Sequence, residues 1–300
     1  MKPTHLLPCN MLLCAALWVV FISFAQAASL DTARIEQLTG LKGALNEKEG
    51  VFKVSFPRKD LAITIAGVHM IPDLGLTAWA AFKHADDHTM VMGDIVVLEN
   101  EINPVMSAAL DNGLEVTALH NHFVWDSPKV MFMHIGGMGD EAELARAVGH
   151  VFGKLKEVIQ TRPGPPLANI DPGKTSFDPE ELKQILGAAG VFKNGVYKLV
   201  FGRKAMMDGH EVGSDMGINT WAAFAGSEQL AVVDGDFVML EGEVQAVLKA
   251  LRAANINIVA LHNHMIGESP RQVFLHYWGV GPVEGLAEGL KAALDTQANR

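Results

Sequence analysis

Two periodicities alternate along this chain, in the same order twice. Stretches 51–56, 61–66, 77–82 and 90–98 read as strands, with side chains pointing to opposite faces in turn. Residues 101–112 change to a helical spacing, with Ile102, Val105, Met106, Ala109 and Leu110 on one side. Asn112-Gly113 stops that helix. A strand over 114–122, a Ser127-Pro128 turn and a returning strand over 129–135 follow, and Gly136-Gly137 ends the pair. A helix from Asp140 to about Ile159 closes the set. The second set opens on Asp178-Pro179-Glu180, which places an N-cap, a proline at the first helical position and an acid in the first turn. It has helices at 241–254 and 282–295. Mixed strands, a helix, two strands and a helix predict an α+β fold. The pattern leaves open whether the strands of both sets join in one sheet.

The two sets are copies. Trp79-Ala-Ala-Phe82 returns as Trp221-Ala-Ala-Phe224, Gly93-Asp94 as Gly235-Asp236, and Glu99 and Glu101 as Glu241 and Glu243, all at an offset of 142. Gly50 to Lys59 matches Gly195 to Lys204 at an offset of 145. The predicted units run over 31–160 and 177–296, related by a pseudo-two-fold, with a proline- and glycine-rich connector at 161–176.

The strongest match is also the richest in chemistry. Between 118–137 and 260–279 ten of twenty residues are identical without a gap, and both copies read His-x-His-x11-His. Strand residues two apart share a face, so His120 and His122 point together. A hairpin centred on Pro128 sets His134 opposite His122, and Pro270 does the same for His264 and His276. Three imidazoles converging from one face are the geometry of an open three-histidine metal site. The occupant expected is a divalent ion, with zinc first and copper or another first-row ion as alternatives. The competing reading is a polar network of hydrogen-bonded core histidines.

Asp126 and Glu268 follow the His-x-His pairs by four residues. Each is a candidate fourth ligand, a candidate catalytic base, or the polar first residue of the Ser-Pro turn. Asn121 and Asn263 alternate with the ligands and suit backbone or outer bonds. Glu99 and Glu241 suit a helix N-terminus, and Trp79 and Trp221 read as core. His69 and His210 lie near but not at equivalent positions and read as loop residues. His84, His88 and His150 have no counterpart. Arg271, with Lys129 at the same place in the first copy, is either a partner for an anionic ligand or a solvated cation. Ser127 and Ser269 precede prolines in turns and lack a nucleophile elbow. A cupin barrel is disfavoured by the helix directly before each histidine strand and by Leu275 where that signature wants glycine.

A net charge of −10 argues against nucleic acid and anionic membrane surfaces as partners. The run Met11 to Phe24, followed by Ala25-Gln26-Ala27, has the form of a signal peptide over 1–27, cleaved after Ala27. That predicts a periplasmic or secreted protein. Both cysteines, Cys9 and Cys14, fall within this segment, and neither follows the small residue that a lipid anchor needs. The mature chain then has no thiolate to offer a metal.

The block Leu261-His-Asn-His264, Glu268-Ser-Pro-Arg271 and Phe274-Leu-His-Tyr-Trp-Gly279, with its weaker twin at 119–137, resembles the LppY/LpqO family of exported bacterial proteins. The resemblance implies secretion and a duplicated domain of unknown function, and it transfers no reaction. Two classes of function stay open. One is a metal-dependent hydrolase with Glu268 or Asp126 as base. The other is a non-catalytic protein that sequesters metal or binds an anionic small molecule.

Overall fold

The computed structural model describes residues 29–297 of the chain, and the leader expected over 1–27 lies outside them. In the first unit six strands belong to the main sheet: β1 (Gly43–Asn46), β2 (Val51–Pro57), β3 (Thr77–Ala85), β4 (His88–Leu98), β5 (Glu115–His120) and β6 (Val130–Gly139). The second unit supplies β7 (Val191–Lys193), β8 (Val196–Gly202), β9 (Asn219–Gly226), β10 (Ala231–Leu240), β11 (Asn257–His262) and β12 (Gln272–Gly281). All twelve join in one antiparallel sheet in the order β1-β2-β3-β4-β6-β5-β11-β12-β10-β9-β8-β7. The units meet where β5 pairs with β11, at Leu119 opposite Leu261.

Six helices accompany the sheet: α1 (Thr32–Thr39), α2 (Ile102–Asp111), α3 (Glu141–Thr161), α4 (Pro179–Leu186), α5 (Val244–Ala253) and α6 (Val283–Asp295). Their starts follow the capping chemistry of the sequence. Asp140 accepts from the Glu143 amide at 3.0 Å and Asp178 from the Glu180 amide at 2.9 Å. The long helices cover one face of the sheet. Leu144 of α3 lies 3.1 Å from where a Gly137 Cβ would stand, and Val91, Ile95, Met133 and Ile135 on that face are all buried. One hydrophobic core runs through both units. No helix among the described residues is long and apolar enough to cross a membrane.

The opposite face is open apart from small covers. In the first unit these are Thr64–Ile65, Val68–His69 and Asp126–Ser127, so the strand expected over 61–66 shrinks to two residues. In the second, the hairpin of Ala205–Met207 and His210–Val212 closes a small cluster with Ile218, Val238 and Phe274. Trp79 and Trp221, expected in the core, stand half-buried on this open face, each beneath a lysine ammonium at 4.0 Å, Lys53 and Lys198.

The histidine hairpin differs from its expected register. β5 ends at His120, and His122 belongs to the following loop. His134 stands opposite Ala118 rather than His122, and His120 opposite Phe132. Residues 121–129 do not continue the hairpin, since Asp126–Ser127 pairs with Thr64–Ile65 instead, and a bulge between Val116 and Ala118, repeated between Ile258 and Ala260, shifts the pairing by one residue more. Val116 and Leu119 are both buried although they lie three apart, an odd spacing that a regular strand cannot place on one face. The extra residue resolves the conflict and puts Ala118 and His120 on the open side.

Candidate metal centre

Strand register assembles the same row of side chains in each unit. Trp79, Asp94, His134 and Ala118 stand opposite one another in turn across β3, β4, β6 and β5. Trp221, Asp236, His276 and Ala260 do so across β9, β10, β12 and β11. Directly opposed residues share a face, so each row sets a carboxylate beside a histidine. His120 and His262 project from the next position along their strands. His122 and His264 come in from the loops, where each ring stacks on a phenylalanine: His122 on Phe132 at 3.3 Å and His264 on Phe274 at 3.6 Å between centroids. The Asn121 and Asn263 side-chain amides hold these loops by donating to the carbonyls of Phe123 and Met265, at 2.7 and 2.9 Å.

The three histidines of each copy do converge. Ring centroids of His120 lie 5.2 Å from His122 and 5.1 Å from His134; those of His262 lie 5.1 Å from His264 and 4.7 Å from His276. The second unit is the tighter. There one ligand atom each from Asp236, His262 and His264 all fall within 4.8 Å of one another. Four ligands at metal–nitrogen bonds of 2.0–2.1 Å stand about 3.3 Å apart, so small side-chain shifts bring this set onto one ion.

Hydrogen bonding defines the lone pairs. His264 Nδ1 donates to the Gly217 carbonyl at 3.2 Å, and His276 Nδ1 to the Gly235 carbonyl at 3.3 Å. A neutral ring that donates through Nδ1 presents a bare lone pair at Nε2. His264 Nε2 faces Asp236 Oδ2 at 3.2 Å. Two acceptors at that distance need a proton or a metal cation between them. Asp236 Oδ1, His262 Nδ1 and, in the first unit, Asp94 Oδ1 are buried without any hydrogen-bond partner. Asp236 itself is 3% exposed. Burial pushes its carboxyl above the usual range, against the pull of His276 and His264. Burial, reinforced by His276 and His264, depresses His262 to about 4, and burial also lowers His122. His262 and His122 are thus neutral near pH 7, as ligands must be.

Asp126 and Glu268 make their bonds at the base of the turns. Asp126 accepts from the Val130 amide at 2.8 Å and from Lys129 at 3.0 Å; Glu268 accepts from the Gln272 amide at 2.9 Å. The carboxylate brought in among the histidine nitrogens is Asp236. Asp94 and Asp236 were visible in the sequence only as a repeated Gly-Asp, 26 to 40 residues from the histidines. The available clue was a charge interrupting an otherwise apolar strand at the same place in both copies. His69 and His210 lie in the short cover strands, paired with Thr64 and Met207.

The two clusters lie on one face: the strands of His134 and His276, β6 and β12, are three strand spacings or about 14 Å apart, while His120 and His262 lie on the neighbouring strands β5 and β11. Ala118 and Ala260 form the floor between them. Each copy thus has its own histidine set, one centred on β6 and the other on β12.

Fold and cluster together define a duplicated α/β protein with a histidine–aspartate cluster on the open face of each half. The chain belongs to the family described as Domain of Unknown Function (DUF1259), whose profile matches residues 33–154 and again 180–296. No curated protein matches the sequence. Among solved structures, the trimeric bacterial microcompartment shell protein PduB aligns over 85% of this chain and 89% of its own, at 11% identity and a TM-score of 0.23.

Proposed function

We propose that this is an exported protein that binds a divalent cation, with its principal centre formed by Asp236, His262, His264 and His276. Asp94, His120, His122 and His134 form the corresponding first-unit centre, and a pseudo-two-fold along the β5–β11 junction relates the two. The observation that carries the reading is the opposition of His264 Nε2 and Asp236 Oδ2, two acceptors 3.2 Å apart. A proton would join those two atoms alone, leaving Asp236 Oδ1 and His262 Nδ1 orphaned at a cost of about 1–3 kcal/mol each. One cation takes all of them. Nitrogen and carboxylate donors suit zinc, with copper as the competitor where it is supplied.

The test is elemental analysis of the purified, dialysed protein, alone and with substitutions. His264→Ala is expected to lose most of the second-unit metal, whereas Asn263→Ala, which touches only the loop carbonyl, loses less. Equal metal in the parent and the His264→Ala protein would end the proposal. As a hydrolase, the protein would use an open position on the ion to polarise water. As a sequestering protein it would hold metal with no turnover, and ester or phosphoester hydrolysis by the zinc-loaded protein separates the two. The exported location rests on the Met11–Ala27 stretch and, with it, on the LppY/LpqO likeness of the histidine blocks. Cleavage is expected after Ala27, and N-terminal sequencing of the native protein checks it: an intact Met1 on a membrane-bound form would refute it.

A further inference from the structure

Each histidine strand carries its bulge one residue beyond an unusual pair of bonds. The Gln245 side chain, on α5 of the second unit, donates to the Val116 carbonyl and accepts from the Val116 amide, both at 2.9 Å. Asn103, on α2 of the first unit, does the same to Ile258, donating to its carbonyl at 3.2 Å and accepting from its amide at 2.8 Å. Asn103 and Gln245 are equivalent at the offset of 142, and so are Val116 and Ile258. β5 and β11 pair only at Leu119 and Leu261. Beyond that pair the two strands part, and each primary amide supplies the donor and acceptor that a neighbouring strand residue would have offered.

We infer that Gln245 and Asn103 are positioning residues that act across the unit boundary, Gln245 on His120 of the first centre and Asn103 on His262 of the second. The bulge after Val116 is what turns Ala118 and His120 to the open face while Val116 stays beneath the helices, and the one after Ile258 does so for His262. Fixing the backbone of Val116 and Ile258 fixes where the bulge sits. Without the bulge, a strand that kept Val116 beneath the helices would turn His120 to that same face, and likewise Ile258 and His262. Each centre is therefore completed by a helix of the other unit. The effect on metal rests on the proposed function; the effect on the strands does not.

The experiment uses the full chain with Gln245→Met or Asn103→Leu, which keep the side-chain bulk and remove the amide. Amide hydrogen exchange and imidazole resonances are followed in the metal-free protein. Gln245→Met is expected to speed exchange at Val116 and shift the His120 ring while leaving His262 in place; Asn103→Leu does the reverse. Zinc titrations then use parents with one centre silenced, by His122→Ala with His134→Ala or by His264→Ala with His276→Ala. Gln245→Met should weaken the first centre roughly tenfold or more and spare the second. General loosening of the fold would instead disturb the mutated unit first, so the crossed pattern is diagnostic. Unchanged exchange at Val116 and Ile258, or effects confined to the histidines of the mutated unit, would overturn the inference. If the parents bind no zinc, the metal reading fails, and exchange and imidazole shifts still decide the clasp.

Discussion

Asp236 shows what a single side chain contributes that local sequence does not display. It stands opposite His276 and Trp221 because of register alone, and burial makes its charge costly unless a cation answers it. Glu268, four residues from His264, looked better placed on paper, but its Oε1 is held by the Gln272 amide and, although its Oε2 is buried without a partner, it does not join Asp236 among the converging ligand atoms. The two carboxylates give a discriminating pair of substitutions. Asp236→Asn preserves shape and removes the anionic ligand, so zinc affinity at the second centre should fall at least about tenfold, the lower range even for outer-shell changes. Glu268→Gln keeps an acceptor for the turn amide, and since Glu268 bonds the turn and no histidine, affinity should stay within the roughly tenfold loss that marks even an outer-shell partner. Calorimetric titration of both variants decides it, and a larger loss in Glu268→Gln would transfer the ligand role to that residue. The six histidines were legible because they repeat at short spacing in one stretch. The aspartates were not, because only the assembled sheet brings β4 to β6 and β10 to β12.

At the scale of elements, the ends of β4 and β10 are tied to the helices that follow by a buried ion pair in each unit. Arg58 is fully buried, and its guanidinium meets both oxygens of Glu101 at 2.9 Å. Arg203 pairs with Glu243 at 2.6 and 2.9 Å. Each glutamate also accepts from a backbone amide three residues earlier, Leu98 or Leu240, at 2.8 Å. The repeat displayed these arginines and glutamates without linking them, for they lie 43 and 40 residues apart. Helix limits were legible from the apolar spacing: α2 begins and ends within one residue of its expected span, whereas α5, expected from 241, starts at Val244 after a 3-10 turn over Glu241–Glu243. The hairpin register was not, because residues 121–129 leave the hairpin to pair elsewhere and the bulge answers a demand from helices packed beneath the strand. For Glu243, burial pushes the carboxyl up, but Arg203, the Leu240 amide and Gln297 outweigh it and hold it below its ordinary 4.5. A depressed acid stabilises the fold above its unfolded value and loses that contribution as pH falls through the folded one. Glu243→Gln should cost about 3 kcal/mol at pH 7, as expected for breaking a buried pair. That deficit should shrink below pH 4.5 as the parent's own carboxylate is protonated. Urea denaturation of parent and variant at pH 7 and pH 3.5 measures it, and a gap that stays constant would refute the assignment.

Across the whole molecule, duplication was legible from the fixed offset, and the joining of the units was not. Nothing in either copy announces that β5 and β11 lie side by side, since Leu119 and Leu261 look like any strand residues. The joint has little sheet pairing of its own, yet it is reinforced on the helical side. Arg252 of α5 donates to the Ser107 hydroxyl of α2 at 3.1 Å, and the Asn103 and Gln245 amides cross in opposite directions. The hydrophobic core is also continuous through both units. The connector contributes little to this joint along its first part, where residues 162–169 are all exposed. Its later part belongs to the second unit, since the Ser176 amide donates to Gly226 at 2.8 Å. The covalent link is therefore expected to be dispensable once the chain has folded. A specific protease site inserted between Pro166 and Leu167 should be cut readily in the native protein, because exposed backbone without regular pairing is the preferred place for nicking. The two fragments should then co-elute at the size of the uncut chain and separate only in denaturant, because a shared core buries more apolar surface than either half can bury alone. The nicked protein should also retain its metal, as both centres lie away from the cut. Fragments that part under native conditions would show that the units are held together mainly by the connector, and the crossed clasp would then be too weak to set the histidine strands.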